Sequence, residues 1–187
     1  MTPFISLLLP VVVAAIAVFV VSTIIHMAMP WHKRDQANVP DEEAAMQAIR
    51  QLELAPDDYA VPSPRLPGGG KNPDFIARFE GGPAFHMTVM NPGKMNMGRY
   101  MGTWFAFTLL IAAIAAWVTG TIMRPGGNPR AVFHYAAVVT TCCYGFGAWP
   151  ISIWYHRRWS TALKGTLDAI LYGLATGAVF MWMWPKG

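Results

Sequence analysis

Residues 4–29 read FISLLLPVVVAAIAVFVVSTIIHMAM and contain no Asp, Glu, Lys or Arg. A helix needs about 20 consecutive apolar residues to cross the hydrocarbon core of a bilayer, so this run is long enough to cross one. Lys33 and Arg34 follow the run, whereas a cleaved signal peptide carries its basic residues before the apolar core. The stretch therefore predicts an uncleaved transmembrane helix.

Three further apolar runs, at residues 100–123, 131–155 and 165–184, also have the length of membrane spans. The Pro and Gly residues of RPGGNPR, at residues 124–130, predict a tight hairpin between the second and third spans. Because 54% of the residues are hydrophobic and only 13% are charged, the composition favours a membrane protein. The predicted fold class is an all-α membrane protein with four transmembrane helices and a small α/β insert, residues 30–98, between the first two spans.

The insert contains the signals of short helices and strands. Asp41 is a candidate N-cap for a helix over residues 41–54, and Asn72 is a candidate cap for a second, shorter helix. Residues 59–65 alternate with prolines and predict an extended segment, and residues 83–90 predict a strand. We interpret these pieces as a mini-domain that rests on the membrane face.

Four spans put both chain termini on the same side of the membrane. Basic residues in short loops favour the cytoplasmic side. The short loops carry Arg157, Arg158 and Lys164 on the insert's side, against Arg124 and Arg130 on the other side. This count predicts a cytoplasmic insert and periplasmic termini.

The segment SIWYHRRWS, residues 152–160, joins the third and fourth spans. Its aromatic residues favour the headgroup layer, and its arginines can contact anionic lipid. We interpret it as an interfacial anchor in the lipid bilayer, formed by Trp154, Tyr155, Arg157, Arg158 and Trp159.

Small residues at four-residue spacing predict close helix packing in two spans, because they let helix backbones approach one another within lipid. The spacing leaves open whether the partner helix belongs to this chain or to another subunit. The predicted packing positions are Gly98, Gly102, Ala106, Gly165, Ala169, Gly173 and Gly177.

Two patterns of soft or nitrogen ligands suggest metal or haem binding. His26, Met27, Met29 and His32 are imidazole and thioether ligands of the kind that suits copper(I). His26 and His156 lie near the same membrane face and could ligate a haem from two sides. The competing interpretation is structural, since Met fills gaps at helix ends and His is ordinary at a membrane interface.

Asp168 is the one acidic residue in the predicted second, third and fourth spans. Charged groups within membrane spans are costly and often functional. Lys164 lies four residues earlier, so we expect Asp168 to form an ion pair with Lys164, Arg157 or Arg158 in preference to a proton relay. A transporter would need a polar path, and the threonines near Asp168 provide little of one.

Several motifs carry a resemblance across most of the chain. They are SIWY at residues 152–155, WST at 159–161, Lys164, Asp168, Tyr172, WMWP at 182–185, PDEE at 40–43 and APDDY at 55–59. With these motifs the chain resembles an uncharacterised group of small bacterial inner-membrane proteins. The resemblance implies a multi-pass protein of the bacterial inner membrane and no catalytic residues.

The expected function follows mainly from what the sequence lacks. It has no nucleophile elbow, P-loop or dinucleotide fingerprint, which argues against an enzyme, and no basic stripe typical of nucleic-acid binding. We expect an accessory, assembly or structural subunit of a larger respiratory or photosynthetic membrane complex, with other membrane subunits as partners. The alternative is a redox or metal-handling membrane protein that binds copper or haem through His and Met at the cytoplasmic face.

Overall fold

The computed structural model describes residues 1–65 and 67–187. These residues form seven α-helices and a two-stranded sheet. In chain order the elements are α1 (Leu8–Thr23), α2 (Glu42–Arg50), β1 (Asp57–Val61), α3 (Pro73–Gly81), β2 (Phe85–Val89), α4 (Met97–Ile122), α5 (Pro129–Gly145), α6 (Ala148–Trp154) and α7 (Trp159–Met183).

Four helical segments in the described part of the chain are long and apolar enough to cross a membrane. They are Phe4–Ala28, Met97–Ile122, Pro129–Trp154 and Trp159–Met183. The first consists of α1 with a 3-10 turn before it, Phe4–Leu7, and a π-helical turn after it. This confirms the predicted number and order of the apolar helices.

The second and third apolar helices begin earlier than predicted. Asn96 caps α4, because its side chain accepts a hydrogen bond from the backbone N–H of Arg99. Asn128 caps α5 in the same way, through the N–H of Arg130. Pro129 then occupies the first turn of α5, where its missing N–H costs nothing. The predicted hairpin between α4 and α5 is thus shorter than RPGGNPR.

The third span is broken in two. The helix α5 ends at Gly145 and α6 begins at Ala148, where the prediction had one continuous helix over residues 131–155. Pro150 has no amide hydrogen to donate to the carbonyl of Phe146, four residues earlier, and Gly145 and Gly147 flank the break. Pro150 and these glycines together explain the interruption.

The helix α7 begins at Trp159, six residues before the predicted start at 165. The turn before it contains His156, whose φ of 54° is in the left-handed region, and it reverses the chain within residues 155–158. Trp159 to Lys164 contain no Gly or Pro, so the helix continues through the part predicted as a linker. Asp168 consequently lies well inside a helix.

The four long helices form a bundle in which α1 contacts α4 and α7, and α5 contacts the same two helices. Among these pairs α5 and α7 are packed most closely, because Gly173 and Gly177 lie against the α5 backbone. A Cβ atom at Gly173 would lie 2.6 Å from the carbonyl oxygen of Ala137, and one at Gly177 would lie 2.8 Å from that of Phe133. Small side chains at these two positions are therefore required by the packing.

The other predicted packing positions have different surroundings. Ala169 is fully buried, and its Cβ lies beside Gly145 of α5. Gly102 and Gly165 have open space where a side chain would be. Gly98 and Ala106 are exposed on α4.

Contacts between the chain termini and the α4–α5 hairpin close one end of the bundle. The backbone N–H of Thr2 donates to the carbonyl of Gly120 at 2.8 Å, and its hydroxyl donates to the carbonyl of Met123 at 2.8 Å. The indole N–H of Trp184 donates to the carbonyl of Arg124 at 3.0 Å. We call this region the terminus end. Both termini lie at this end, as an even number of long helices requires.

The insert forms a separate compact unit, residues 37–95. Its strands β1 and β2 are antiparallel, with Asp57 opposite Val89 and Val61 opposite Phe85. Asp41 caps α2 by accepting from the N–H of Ala44, and Asn72 caps α3, so both predicted caps are confirmed. The helix α2 ends at Arg50, four residues short of the prediction, and Glu53 follows with a positive φ.

Candidate metal centre

The chain after α1 brings two histidines together. The π-helical turn Ile24–Ala28 carries His26, and the 3-10 turn Pro30–His32 follows at once. Pro30 occupies the first position of the 3-10 turn, where its fixed φ fits. Through these two turns the imidazole rings of His26 and His32 come together, with ring centroids 4.6 Å apart.

The helix α7 supplies a carboxylate to the same place. Asp168 is 4% exposed, and its Oδ2 lies 2.9 Å from Nε2 of His32. The other carboxylate oxygen, Oδ1, is buried and has no hydrogen-bond partner among the described residues. Buried carboxylates are usually fully hydrogen-bonded, so an unsatisfied oxygen at this position indicates spare capacity to bind a donor or a cation.

A second carboxylate lies on the far side of His32. Oδ2 of Asp35 is 2.7 Å from Nδ1 of His32, and Oδ1 of Asp35 accepts a hydrogen bond from Nζ of Lys164 at 2.6 Å. Lys164 also donates to the carbonyl oxygen of Trp31. Burial alone would raise the pKa of Asp35, but the hydrogen bonds and charges of Lys164 and His32 outweigh burial and lower it.

His26, His32 and Asp168 have the geometry of a metal-ligand set. One potential ligand atom from each lies within 4.8 Å of the others. Two ligands bound to the same ion at about 2.0–2.2 Å must themselves be about 3 Å apart, which is close to the 2.9 Å between His32 and Asp168. His32 and Asp168 are thus already spaced as two ligands of one cation are, and His26 lies beside them.

The hydrogen-bonding capacity of the His32 ring also indicates a site for a cation. A neutral imidazole has one N–H and one lone pair, yet both ring nitrogens of His32 face carboxylate oxygens. A lone pair facing a carboxylate is repulsive, so the contact with Asp168 requires either a proton between the ring nitrogen and the carboxylate oxygen or a cation shared by the two groups. The arrangement is therefore a place for a positive charge.

Aromatic side chains pack against the centre, in which Asp168 is buried, His32 is half-buried and His26 is exposed. The phenol oxygen of Tyr172 lies 3.5 Å from Nε2 of His26, and Tyr144 packs edge-on against Tyr172 with ring centroids 5.1 Å apart. Trp31 and Trp104 pack against the same buried cluster. The electrostatic interactions of the buried Asp168 carboxylate are therefore stronger than they would be in water.

The other residues predicted as copper or haem ligands are Met27, Met29 and His156. Met27 is 77% exposed and Met29 is 37% exposed. His156, the predicted haem partner of His26, is exposed in the turn before α7. It is not part of the group that His26 forms with His32 and Asp168.

The predicted ion pair of Asp168 with Lys164, Arg157 or Arg158 is wrong, because the ion pair that Asp168 forms among the described residues is with His32. Lys164 lies one helical turn before Asp168, but its ammonium group binds Asp35 and the Trp31 carbonyl, while Asp168 contacts His32. The reason is tertiary: the chain after α1 supplies acceptors to Lys164, and His32 supplies a partner to Asp168. The contact between Asp35 and His32 was not predicted from the sequence. The three-residue spacing of Asp35 and His32 could have indicated it.

The predicted interfacial residues lie at the α6–α7 turn. Arg158 donates from Nη1 to the carbonyl oxygen of Arg34 at 3.1 Å, so this arginine contacts the chain that follows α1. All five predicted interfacial residues are exposed: Trp154, Tyr155, Arg157, Arg158 and Trp159.

Comparison of the chain with protein-family models, with curated proteins and with solved structures gave no match. The function of the centre must therefore be inferred from the chemistry of its own residues.

Proposed function

We propose that the chain is a multi-pass membrane protein that binds a divalent first-row transition-metal ion through His26, His32 and Asp168. The observation that supports this most directly is the convergence of two imidazoles and one buried carboxylate within 4.8 Å. The three residues come from two separate parts of the chain, and no local repeat brings them together. Ionisable groups inside an apolar bundle are costly, which favours a functional reason for them.

The donor set favours a particular class of metal. Imidazole nitrogen suits Zn²⁺, Fe²⁺, Co²⁺ and Ni²⁺, and a carboxylate oxygen is a harder ligand than the thioether that copper(I) prefers. Three protein ligands leave at least one coordination position for water or another molecule, as in catalytic and transport sites. We therefore propose a metal-handling protein for a borderline divalent ion, and not for the copper(I) or haem that the sequence offered as an alternative.

Metal analysis of the purified protein tests this proposal. The full chain is purified in mild detergent without chelator, dialysed against Zn²⁺ or Co²⁺ and analysed for bound metal. We expect about one Zn²⁺ per chain, and its loss in His26→Ala and His32→Ala. His156→Ala is the matched control, since it removes an exposed histidine outside the centre. Wild-type protein that retains no Zn²⁺ or Co²⁺ would overturn the proposal.

A second candidate is the accessory or assembly subunit of a larger membrane complex. Two observations favour it. No residue that the structure describes in the insert, residues 37–95, is buried, and apolar side chains such as Ile76 and Phe79 are 40% and 49% exposed. On α4, the small residues Gly98, Gly102 and Ala106 form an exposed stripe suited to a neighbouring helix.

Co-purification at native expression level tests the second candidate. We expect stable partner proteins after mild solubilisation, and their loss when Gly102 is replaced by Leu, with Tyr100→Leu, an exposed position on another face of the same helix, as the control. A monomer without partners would contradict it.

A further inference from the structure

Asp35 has no place in the ligand set, yet it makes the closest polar contact with one of the ligands. Its Oδ2 lies 2.7 Å from Nδ1 of His32, on the side of the ring opposite Asp168. The side chain of Asp35 is 14% exposed, so the contact is shielded from solvent. Water therefore competes weakly for the Nδ1 proton.

From this geometry we infer that Asp35 is a positioning residue that holds His32 in the metal-binding tautomer, and that Lys164 holds Asp35 in turn. The inference rests on the proposed metal function. A carboxylate that accepts the Nδ1 proton leaves the Nε2 lone pair facing Asp168, where the ion would bind. Metal-ligating histidines commonly have such a partner, which fixes the ring and makes it a stronger base.

Lys164 explains how Asp35 is kept in place. Its ammonium group binds Oδ1 of Asp35 at 2.6 Å and also the carbonyl of Trp31, the residue next to His32. The charges of Lys164 and Asp35 cancel, so the pair can orient His32 without repelling a cation. Lys164 and Asp168 are four residues apart and thus on one face of α7. That single face supplies both a metal ligand and the support for a second one.

The same contacts also link two parts of the bundle that are far apart in the sequence. Residues 30–35 follow the first long helix, and α7 is the last helix. The hydrogen bonds of Lys164 connect them on the Nδ1 side of the His32 ring, and the contact between His32 and Asp168 connects them on the Nε2 side. The orientation of His32 therefore depends on both contacts.

A series of substitutions at Asp35 tests the positioning role. The Zn²⁺ affinity of the full-length protein in detergent is measured by competition with a chromophoric chelator. Asp35→Ala removes the acceptor and is expected to weaken Zn²⁺ binding by about 10- to 100-fold, the usual effect of losing such a partner. Asp35→Asn retains an acceptor and should fall between Asp35→Ala and wild type, and Asp35→Glu should restore most of the affinity. Glu80→Gln, in the insert, is the control for a lost carboxylate.

The Co²⁺-loaded protein supplies a readout that a general loss of stability would not change. Rotation of His32 alters the ligand field, so we expect the visible Co²⁺ absorption of Asp35→Ala to differ in shape from that of wild type at full metal loading. Size-exclusion chromatography and circular dichroism identify variants that are misfolded. Wild-type Zn²⁺ affinity and Co²⁺ spectrum in Asp35→Ala would overturn the positioning role and leave the metal site intact. Absence of metal binding in wild type would overturn both.

Discussion

The two ends of the helical bundle are closed by different chemistry. At the terminus end, Thr2 and Trp184 donate hydrogen bonds to backbone carbonyls, and all of these groups are neutral. At the other end, which we call the His32 end, the contacts join His32, Asp168 and the Asp35–Lys164 pair.

This difference shows that charge is not needed to close the bundle. Neutral hydrogen bonds satisfy buried polar groups at small cost, whereas burying ionisable groups incurs a desolvation cost that ion pairing often fails to recover. The terminus end shows that neutral hydrogen bonds are sufficient to close an end of the bundle. The more costly solution at the His32 end therefore favours a function that uses charge, such as the proposed binding of a cation.

The largest expected effect concerns the carboxylate of the His32 end. Asp168→Asn removes the charged ligand, and we expect Zn²⁺ affinity to fall by more than about 100-fold, beyond the effect of losing an orienting partner. Trp184→Phe at the terminus end is the matched control and should leave the affinity unchanged. Isothermal titration in detergent measures both. Equal affinity in Asp168→Asn and wild type would place the metal ligands elsewhere.

The sequence predicted the architecture better than the centre. Four apolar runs and two N-caps are local signals, and the helices and caps appear where those signals lie. The start of α7 was missed because the aromatic and basic residues around Trp159 are typical of an interface, yet the same residues are compatible with helix.

The centre was predicted only in pieces. His26, His32 and Asp168 each stood out, but His32 and Asp168 are 136 positions apart and no periodicity relates them. The four-residue spacing of Lys164 and Asp168 suggested a local ion pair. That local preference is worth only a few tenths of a kcal/mol, so tertiary acceptors near Lys164 can override it.

The next effect concerns the packing of α5 against α7, in the bundle between the two ends. Gly173→Ala would place a methyl group 2.6 Å from the carbonyl of Ala137, so we expect a loss of about 1–3 kcal/mol in the free energy of unfolding. Gly165→Ala, on the same helix with open space, should stabilise by about 0.5–1 kcal/mol. Unfolding in SDS measures both. Equal stabilities would show that the helices are not closely packed at Gly173.

A smaller loss is expected at the terminus end. Trp184→Phe removes the indole N–H that binds the Arg124 carbonyl and should lower the free energy of unfolding by about 0.5–1.5 kcal/mol, the net value of one hydrogen bond. Trp182→Phe, at an indole that is 80% exposed, is the control and should have little effect. If both substitutions cost the same, the terminus contact contributes no specific stability.

The smallest effect separates the two ends by their response to pH. The pKa of Asp35 is lowered in the folded protein, so its carboxylate stabilises the fold above its unfolded pKa of about 3.9, and this contribution is lost as the pH falls through the lower folded value. Asp35→Asn loses the charge and one of the two acceptor oxygens, but only the loss of the charge depends on pH. We expect metal-free Asp35→Asn to melt below wild type at pH 7, and the difference between the two melting temperatures to shrink as the pH is lowered to 3, with EDTA present throughout. The deficit of Trp184→Phe involves no titrating group and should persist at both pH values. A deficit of Asp35→Asn that is equally large at pH 3 would mean that the carboxylate charge contributes nothing at the His32 end, and that this end, like the other, is held by neutral hydrogen bonds.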